Sequence, residues 1–194
     1  MTDHLTLANC VAGTELSALC AALQALDGEP ATVSGASAYT AVLPLMRRVT
    51  RLDAPATAIQ QVEQCFLRLR PSLEAHFDVP LGRLEPLQFL RYRTGDFFVA
   101  HQDGNTPLIR DETRHRRISI VLFLNGPAPT PGSPGYGGGE LVLHNRTGTT
   151  GHCALAPSAG TVVAFRAETT HEVLPVTHGE RLTVIAWFRS GDAR

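Results

Sequence analysis

Apolar residues follow two different rhythms along this chain, and the change comes near Pro86. Before it the spacing is helical. Between Thr14 and Leu26 apolar side chains recur at positions 16, 19, 20, 23 and 26, which lines one face of a helix; Thr14 is placed to cap it and Asp27-Gly28 to stop it. The stretch Gly28 to Ser37 is small and turn-rich, and Tyr39 to Leu45 reads as a short strand. A second helix is expected from Asp53, with Pro55 in its first turn and Ile59, Val62, Phe66 and Leu69 on one side. Pro71 lacks an N–H and crowds the preceding turn, so it is expected to kink or end that helix, leaving Leu73 to Phe77 as a further short turn. No chemistry is legible in either helix.

After Pro86, short β-branched and aromatic runs alternate with Gly, Pro and Asn. The predicted strands are Leu87–Arg93, Phe97–His101, Arg117–Leu124, Glu140–His144, Cys153–Leu155, Thr161–Phe165, Glu172–Val176 and Leu182–Phe188. Eight short strands in about a hundred residues fit a double-sheet jelly roll. The Gly and Pro content of Asn125 to Gly139 is taken to rule out regular structure, and a loop of that length in a compact domain is usually functional or mobile. The expected fold is therefore mainly β with N-terminal helices: a cupin-like double-stranded β-helix buttressed by helices on one sheet. With no linker or internal repeat, residues 1–194 are expected to form one domain, with a helical support region over 1–84 and the jelly-roll core over 85–190.

Composition narrows the partners. The 194 residues carry a formal net charge of −1, so nothing electrostatic favours nucleic acid or an anionic membrane. No apolar run has the length of a membrane span, and Met1-Thr2-Asp3-His4 lacks the basic start and apolar core of a signal peptide. The four cysteines, Cys10, Cys20, Cys65 and Cys153, form no Cys-X-X-Cys pair and suggest neither a zinc ribbon nor a disulfide framework. A reducing cytoplasm is the expected setting.

The chemistry gathers around His101-Gln102-Asp103, which directly follows an apolar strand-like run. Side chains at i and i+2 on a strand share a face, so an imidazole and a carboxylate can converge on one ion. With His171 as third ligand they would make a 2-His-1-carboxylate facial triad, which leaves the other positions on Fe(II) open. Arg181 opens the final strand. Its guanidinium could grip the far carboxylate of a five-carbon keto-diacid that chelates iron by its 2-oxo acid end, and Thr183, on the same strand face, could add a hydroxyl. Taken alone, Arg181 also fits a surface ion pair with Glu180.

The sequence then resembles a known family, the Fe(II)- and 2-oxoglutarate-dependent dioxygenases, in their prolyl 4-hydroxylase branch. The resemblance covers roughly Leu87 to Phe188 and rests on Gln88 to Tyr92, His101-Gln102-Asp103, Ser119 to Asn125, Gly138 to Leu141, Gly160 to Phe165, His171 to Val176 and Arg181 to Trp187. It implies that His101, Asp103 and His171 hold iron and that Arg181 binds the C5 carboxylate of 2-oxoglutarate. It also implies that Tyr92 bonds the co-substrate or lines its pocket, Tyr92 being otherwise a core aromatic. Ser119 stands where relatives often have Thr near the co-substrate. Phe123 is a departure, since it replaces a tyrosine whose hydroxyl reaches the co-substrate in oxygen-sensing relatives. The implied cofactors are Fe(II), 2-oxoglutarate and O2, with ascorbate as reductant; the implied products are succinate, CO2 and a hydroxylated substrate. A carboxylate at Asp103 favours hydroxylation over the halogenation performed by relatives that lack it.

Other features weigh less. Arg110, Arg114, Arg116 and Arg117, with Asp111 and Glu112, read as a solvated loop or as a rim that grips substrate. His115, His144, His152 and His178 have no partner pattern, and Arg47-Arg48 falls where relatives place a substrate-covering segment. The leading expectation is a hydroxylase of a prolyl residue in a protein or peptide. The alternatives are hydroxylation of a free amino acid or other small molecule, oxidative demethylation of nucleic acid, a zinc-loaded cupin enzyme, and a non-catalytic metal-binding or sensory jelly roll.

Overall fold

The computed structural model describes residues 4–34, 40–41, 43–106, 111–144 and 151–191. In chain order its elements are β1 (His4–Leu7), α1 (Gly13–Gln24), β2 (Gly28–Pro30), β3 (Val33–Ser34), β4 (Thr40–Ala41), β5 (Arg47–Arg48), β6 (Thr50–Leu52) and α2 (Ala56–Phe77). There follow β7 (Leu81–Leu84), β8 (Gln88–Tyr92), β9 (Phe97–His101), a 3-10 turn at Glu112–His115, β10 (Arg116–Phe123), β11 (Tyr136–Gly138), β12 (Leu141–His144), β13 (His152–Leu155), β14 (Thr161–Arg166), β15 (His171–Val173), β16 (Val176–Gly179) and β17 (Arg181–Ser190). The larger sheet runs β1-β14-β10-β17-β8-β6-β2, with β7 also paired to β17; the smaller runs β13-β12-β15-β9-β5. All these pairings are antiparallel, as expected for a jelly roll.

The two-residue period of a strand decides which side chains meet which layer. On β10, Ile118, Ile120 and Leu122 face outward with Leu182, Val184, Ala186 and Phe188 of β17, in one core with Leu19 and Leu23 of α1 and Val62, Phe66, Leu73 and Phe77 of α2. The intervening residues Val121 and Phe123 face inward and meet Leu141 and Leu143 of the smaller sheet. The helices therefore seal the outer face of one sheet, as expected, and the space between the sheets is left for the site.

Several local expectations are corrected. Helix α1 is capped at Ala12, with no side-chain cap bond, and ends at Gln24 rather than at Leu26. Helix α2 runs without a break through Pro71, because Leu73 and Phe77 continue the buried stripe of Val62 and Phe66. That burial offsets the hydrogen bond lost at the proline. Of the strand expected over Tyr39–Leu45, Thr40–Ala41 is a strand and Pro44 to Met46 form a turn; Tyr39 and Val42 lie outside the described residues.

The predicted strand Glu172–Val176 is two strands, since Pro175 has no N–H and Leu174 N donates to Glu140 O instead. Strands β1, β2, β5, β6 and β7, all before residue 85, enter the two sheets. The Asn125–Gly139 stretch is not wholly irregular, for its end pairs as β11 with β16. A Cβ on Gly137 would meet the His178 ring at 2.0 Å, so a larger residue there would displace that side chain. Among the described residues no helix is long and apolar enough to cross a membrane.

Phe66 is fully buried between α2 and the larger sheet, whereas Leu45 is 90% exposed. Phe66→Ala is expected to cost about 3–5 kcal/mol of stability, and Leu45→Ala about 0.5 kcal/mol or less, both read from urea unfolding midpoints.

Candidate active site

His101 ends β9 and His171 opens β15, and the two are direct partners across the ladder. A bulge makes this possible. Val173 pairs with Phe98, so three steps on β9 match two on β15, and the extra residue re-aims the end of the strand. Phe98 consequently lies against His101, ring centroids 3.5 Å apart, and the two imidazole centroids lie 4.2 Å apart. Asp103 falls just past the strand end rather than on it. Its N–H donates to Ala167 O (2.9 Å), as does that of Gly104 (3.2 Å), and Arg116 Nη1 donates to the Asp103 carbonyl (3.2 Å). Gly104 allows this tight turn, because a Cβ there would meet Thr113 O at 2.1 Å.

The hydrogen bonds of the two rings prepare both for a metal. Nδ1 of His101 lies 2.8 Å from Val99 O, and Nδ1 of His171 lies 2.9 Å from Thr169 O. A carbonyl only accepts, so each Nδ1 carries a proton, and in the neutral form that a metal ligand takes the lone pair is then on Nε2. Those Nε2 atoms lie 3.6 and 3.5 Å from opposite carboxylate oxygens of Asp103. Burial pushes the His171 pKa down to about 4, more than the Asp103 carboxylate raises it, so this imidazole is neutral at pH 7. Burial works against the charge on Asp103, but His171, His101 and the Ser119 hydroxyl together hold its carboxyl well below the usual range. Two imidazoles and a carboxylate with ligand atoms all within 4.8 Å of one another fit a divalent ion of the Fe(II) or Zn(II) kind. Ser119, expected beside the co-substrate, donates from Oγ to Asp103 Oδ2 at 2.7 Å and so orients that carboxylate.

Along the inner face of the larger sheet lies a second polar centre. Arg181 is only 1% exposed, and Glu180 does not pair with it; Glu180 bonds Arg93 instead (3.1 Å). The guanidinium carbon sits 4.9 Å from the ring centroids of both Tyr92 and Phe123, and Nη1 reaches Thr183 Oγ1 at 3.5 Å. Tyr92 is the cross-strand partner of Arg181, and Thr183 pairs with Phe123. Among the described residues no carboxylate forms a salt bridge with Arg181, and its Nε is buried without a hydrogen-bond partner. A buried guanidinium without a counter-charge is costly, which marks this as a seat for an anion. Asn125 fixes the strand beneath it, donating to Glu180 O (2.6 Å) and accepting from Leu182 N (2.8 Å).

Tyr136 was not singled out by sequence, and Arg47 was placed only in a substrate-covering segment. Tyr136 is fully buried with an unpartnered hydroxyl, in a Gly-rich segment with no strand pattern. Arg47 is 7% exposed; its Nη1 donates to Thr32 O (2.8 Å), its guanidinium lies 4.8 Å from the Phe98 ring, and Nε and Nη2 are unpartnered. The charge-dense segment is largely internal scaffolding: Arg116 pairs with Glu85 (2.8 Å) and lies over Trp187, and Arg117 donates to Asn105. Arg110 lies outside the described residues. His144 pairs with Glu172 (3.0 Å), and His115 accepts from Arg114 Nε (2.9 Å).

Comparison with known proteins gives a consistent result. The family model described as the 2OG-Fe(II) oxygenase superfamily matches residues 87–189. A PKHD-type hydroxylase of Burkholderia lata is 38% identical over 114 residues, 58% of this chain and 46% of that protein, so the match spans about half the length of that relative. A PKHD-type hydroxylase of Maricaulis maris is 30% identical over 172 residues, 87% of this chain and 71% of the relative. The crystal structure of a Pseudomonas putida prolyl-4-hydroxylase superposes with a TM-score of 0.71 at 25% identity, covering 97% of this chain and 93% of that one.

Removing the hydrogen bond that orients Asp103 tests the metal site directly. Ser119→Ala is expected to weaken binding of Fe(II), or of Mn(II) as its air-stable substitute, by about tenfold or more in chelator competition, without loss of fold.

Proposed function

This chain belongs to the 2OG-Fe(II) oxygenase superfamily, and we propose that it is an Fe(II)- and 2-oxoglutarate-dependent dioxygenase that hydroxylates a prolyl residue of a protein or peptide and releases succinate and CO2. The observation that carries the proposal is Arg181, a cation sealed inside the roll without an anion of its own among the described residues. Nε2 of His101, Nε2 of His171 and the Asp103 carboxylate would hold iron, leaving its other positions for the keto-acid end of 2-oxoglutarate and for O2. Arg181 and Thr183 would seat the far carboxylate, with Tyr92 and Phe123 flanking the guanidinium. When bound, the iron supplies oxygen activation and the oxidative decarboxylation that drives attack on an unactivated C–H bond.

The chain's own part is placement and exclusion. Val121, Phe123 and Ile185 keep the inner face apolar, which strengthens the charge pairing at Arg181. Ser119 and the Ala167 carbonyl fix Asp103, while the Val99 and Thr169 carbonyls fix the tautomers of the two imidazoles. A prolyl substrate is supported by the similarity to the P. putida prolyl-4-hydroxylase and by the PKHD-type relatives. A second reading, hydroxylation of a small molecule such as a free amino acid, has Arg47 in its favour. The open Nε and Nη2 edge of that guanidinium is the fork that a carboxylate would take, and it lies beside the ring that stacks on His101. The four unpaired cysteines support a reducing, cytoplasmic setting.

Asp103→Ala is expected to abolish tight iron binding. Arg181→Ala is expected to keep iron yet bind 2-oxoglutarate about 30-fold or more weakly, since it removes one partner of a buried charge pair. Anaerobic titration monitored by the visible metal-to-ligand charge-transfer band reads both; unchanged 2-oxoglutarate binding in Arg181→Ala would end the co-substrate assignment. Succinate release across a prolyl-peptide panel and an amino-acid panel is expected to favour the peptides, and turnover of amino acids alone would transfer the proposal to the second reading.

A further inference from the structure

The seat around Arg181 is incomplete if only the groups proposed above are counted. Its guanidinium has one hydroxyl neighbour, Thr183, and two flanking rings, of which Phe123 offers no donor. Tyr136 approaches the same side chain from elsewhere in the fold. It opens β11 and pairs with Gly179, two residues before Arg181. Glycines bring the pieces together: a Cβ on Gly139 would meet Arg181 Cδ at 3.1 Å and Tyr136 Cδ2 at 3.6 Å, and one on Gly179 would meet Tyr136 Cα at 3.1 Å. The arginine stem and the tyrosine ring thus close over one backbone position.

The phenol of Tyr136 is shut off from solvent and has no partner at proper hydrogen-bond geometry, nor has Arg181 Nε; the Arg181 guanidinium is near enough to act on the phenol as a charge and as a donor. A buried hydroxyl left unpaired is costly. Accepting from Arg181 Nε would not remove the difficulty, because a phenol that accepts still has its own proton to donate. Burial raises the pKa of Tyr136, and the opposing pull of the Arg181 charge is smaller, so that proton is retained at neutral pH. A donor beside a cation, with no acceptor bonded to it among the described residues and only the charge of Glu140 acting on it from further off, calls for an anion.

Resting on the proposed use of 2-oxoglutarate, we infer that Tyr136 donates its phenolic proton to the far carboxylate of the diacid, and so is a co-substrate-binding residue that selects a second carboxylate. Tyr136→Phe removes one oxygen and keeps the ring. In anaerobic titrations of the iron-loaded protein, the variant is expected to bind 2-oxoglutarate about tenfold or more weakly than wild type. Pyruvate, a 2-oxo acid without the far carboxylate, is expected to bind both proteins equally. The variant without co-substrate is expected to melt no lower than wild type. Equal affinity of both proteins for 2-oxoglutarate would overturn the inference alone, as would an equal loss for pyruvate. Failure of the wild type itself to bind 2-oxoglutarate would overturn the proposed function and this inference with it.

Discussion

The alternation of a β-strand sets the terms for everything else in this protein. On β10 and β17 each residue is committed to one of two environments, and neighbours in sequence go to opposite ones. Ile118, Ile120 and Leu122 are spent on the helices, which frees Ser119, Val121 and Phe123 for the interior of the roll. On β17, Leu182 and Val184 join the helical core while Arg181 and Thr183 turn inward. A one-residue slip of β17 would carry the arginine into the helix interface and a leucine into the pocket. The long helical core is thus what fixes the register of the polar face.

Two charges have to be tolerated inside that face, and they are kept apart. Asp103 is held as a carboxylate by His171, His101 and Ser119, and burial keeps His171 neutral; with both imidazoles in the neutral form that binds metal, the cluster offers a single negative charge. Arg181 offers a single positive one, flanked by aromatic rings rather than by acids. On the proposed reading, a dication joins the first and a dianion bridges to the second. The pocket would then be formally neutral both empty and filled, and the pair enters without leaving net charge in a low-dielectric space.

Much of this was legible in the chain because strand chemistry is periodic. His101, Asp103, His171, Arg181 and Thr183 sit in or beside strongly patterned runs, and the structure brings the first three together and puts the other two on one inner face. What escaped was set by long-range contact. The bulge in β9 leaves no mark in Phe97 to His101 and becomes visible only through its pairing with β15. Short strands such as β2, Gly-Glu-Pro, and β11, Tyr-Gly-Gly, have no side-chain pattern to read; they exist because β6 and β16 offer them ladders. Pro71 misled for the converse reason, since local propensity lost to a buried stripe spanning both sides of it. Tyr136 was hidden in a Gly-rich segment, although those glycines are what let it reach Arg181.

Buried cations with unsatisfied donors also bear on stability. Arg181 at Nε and Arg47 at Nε and Nη2 leave donors unpaired where an apolar side chain would leave none. Replacing buried charges with well-packed apolar groups is often neutral or stabilising, so position 181 is not filled by the residue that would best serve the core. A molecule that supplies the missing acceptor recovers that loss, and the folded state is then stabilised in proportion to how fully the ligand is bound. The same argument separates the two arginines. Arg181 opens β17 between the rings of Tyr92 and Phe123 and is almost wholly buried. Arg47 stands on the edge strand of the smaller sheet, next to the turn that carries the exposed Leu45.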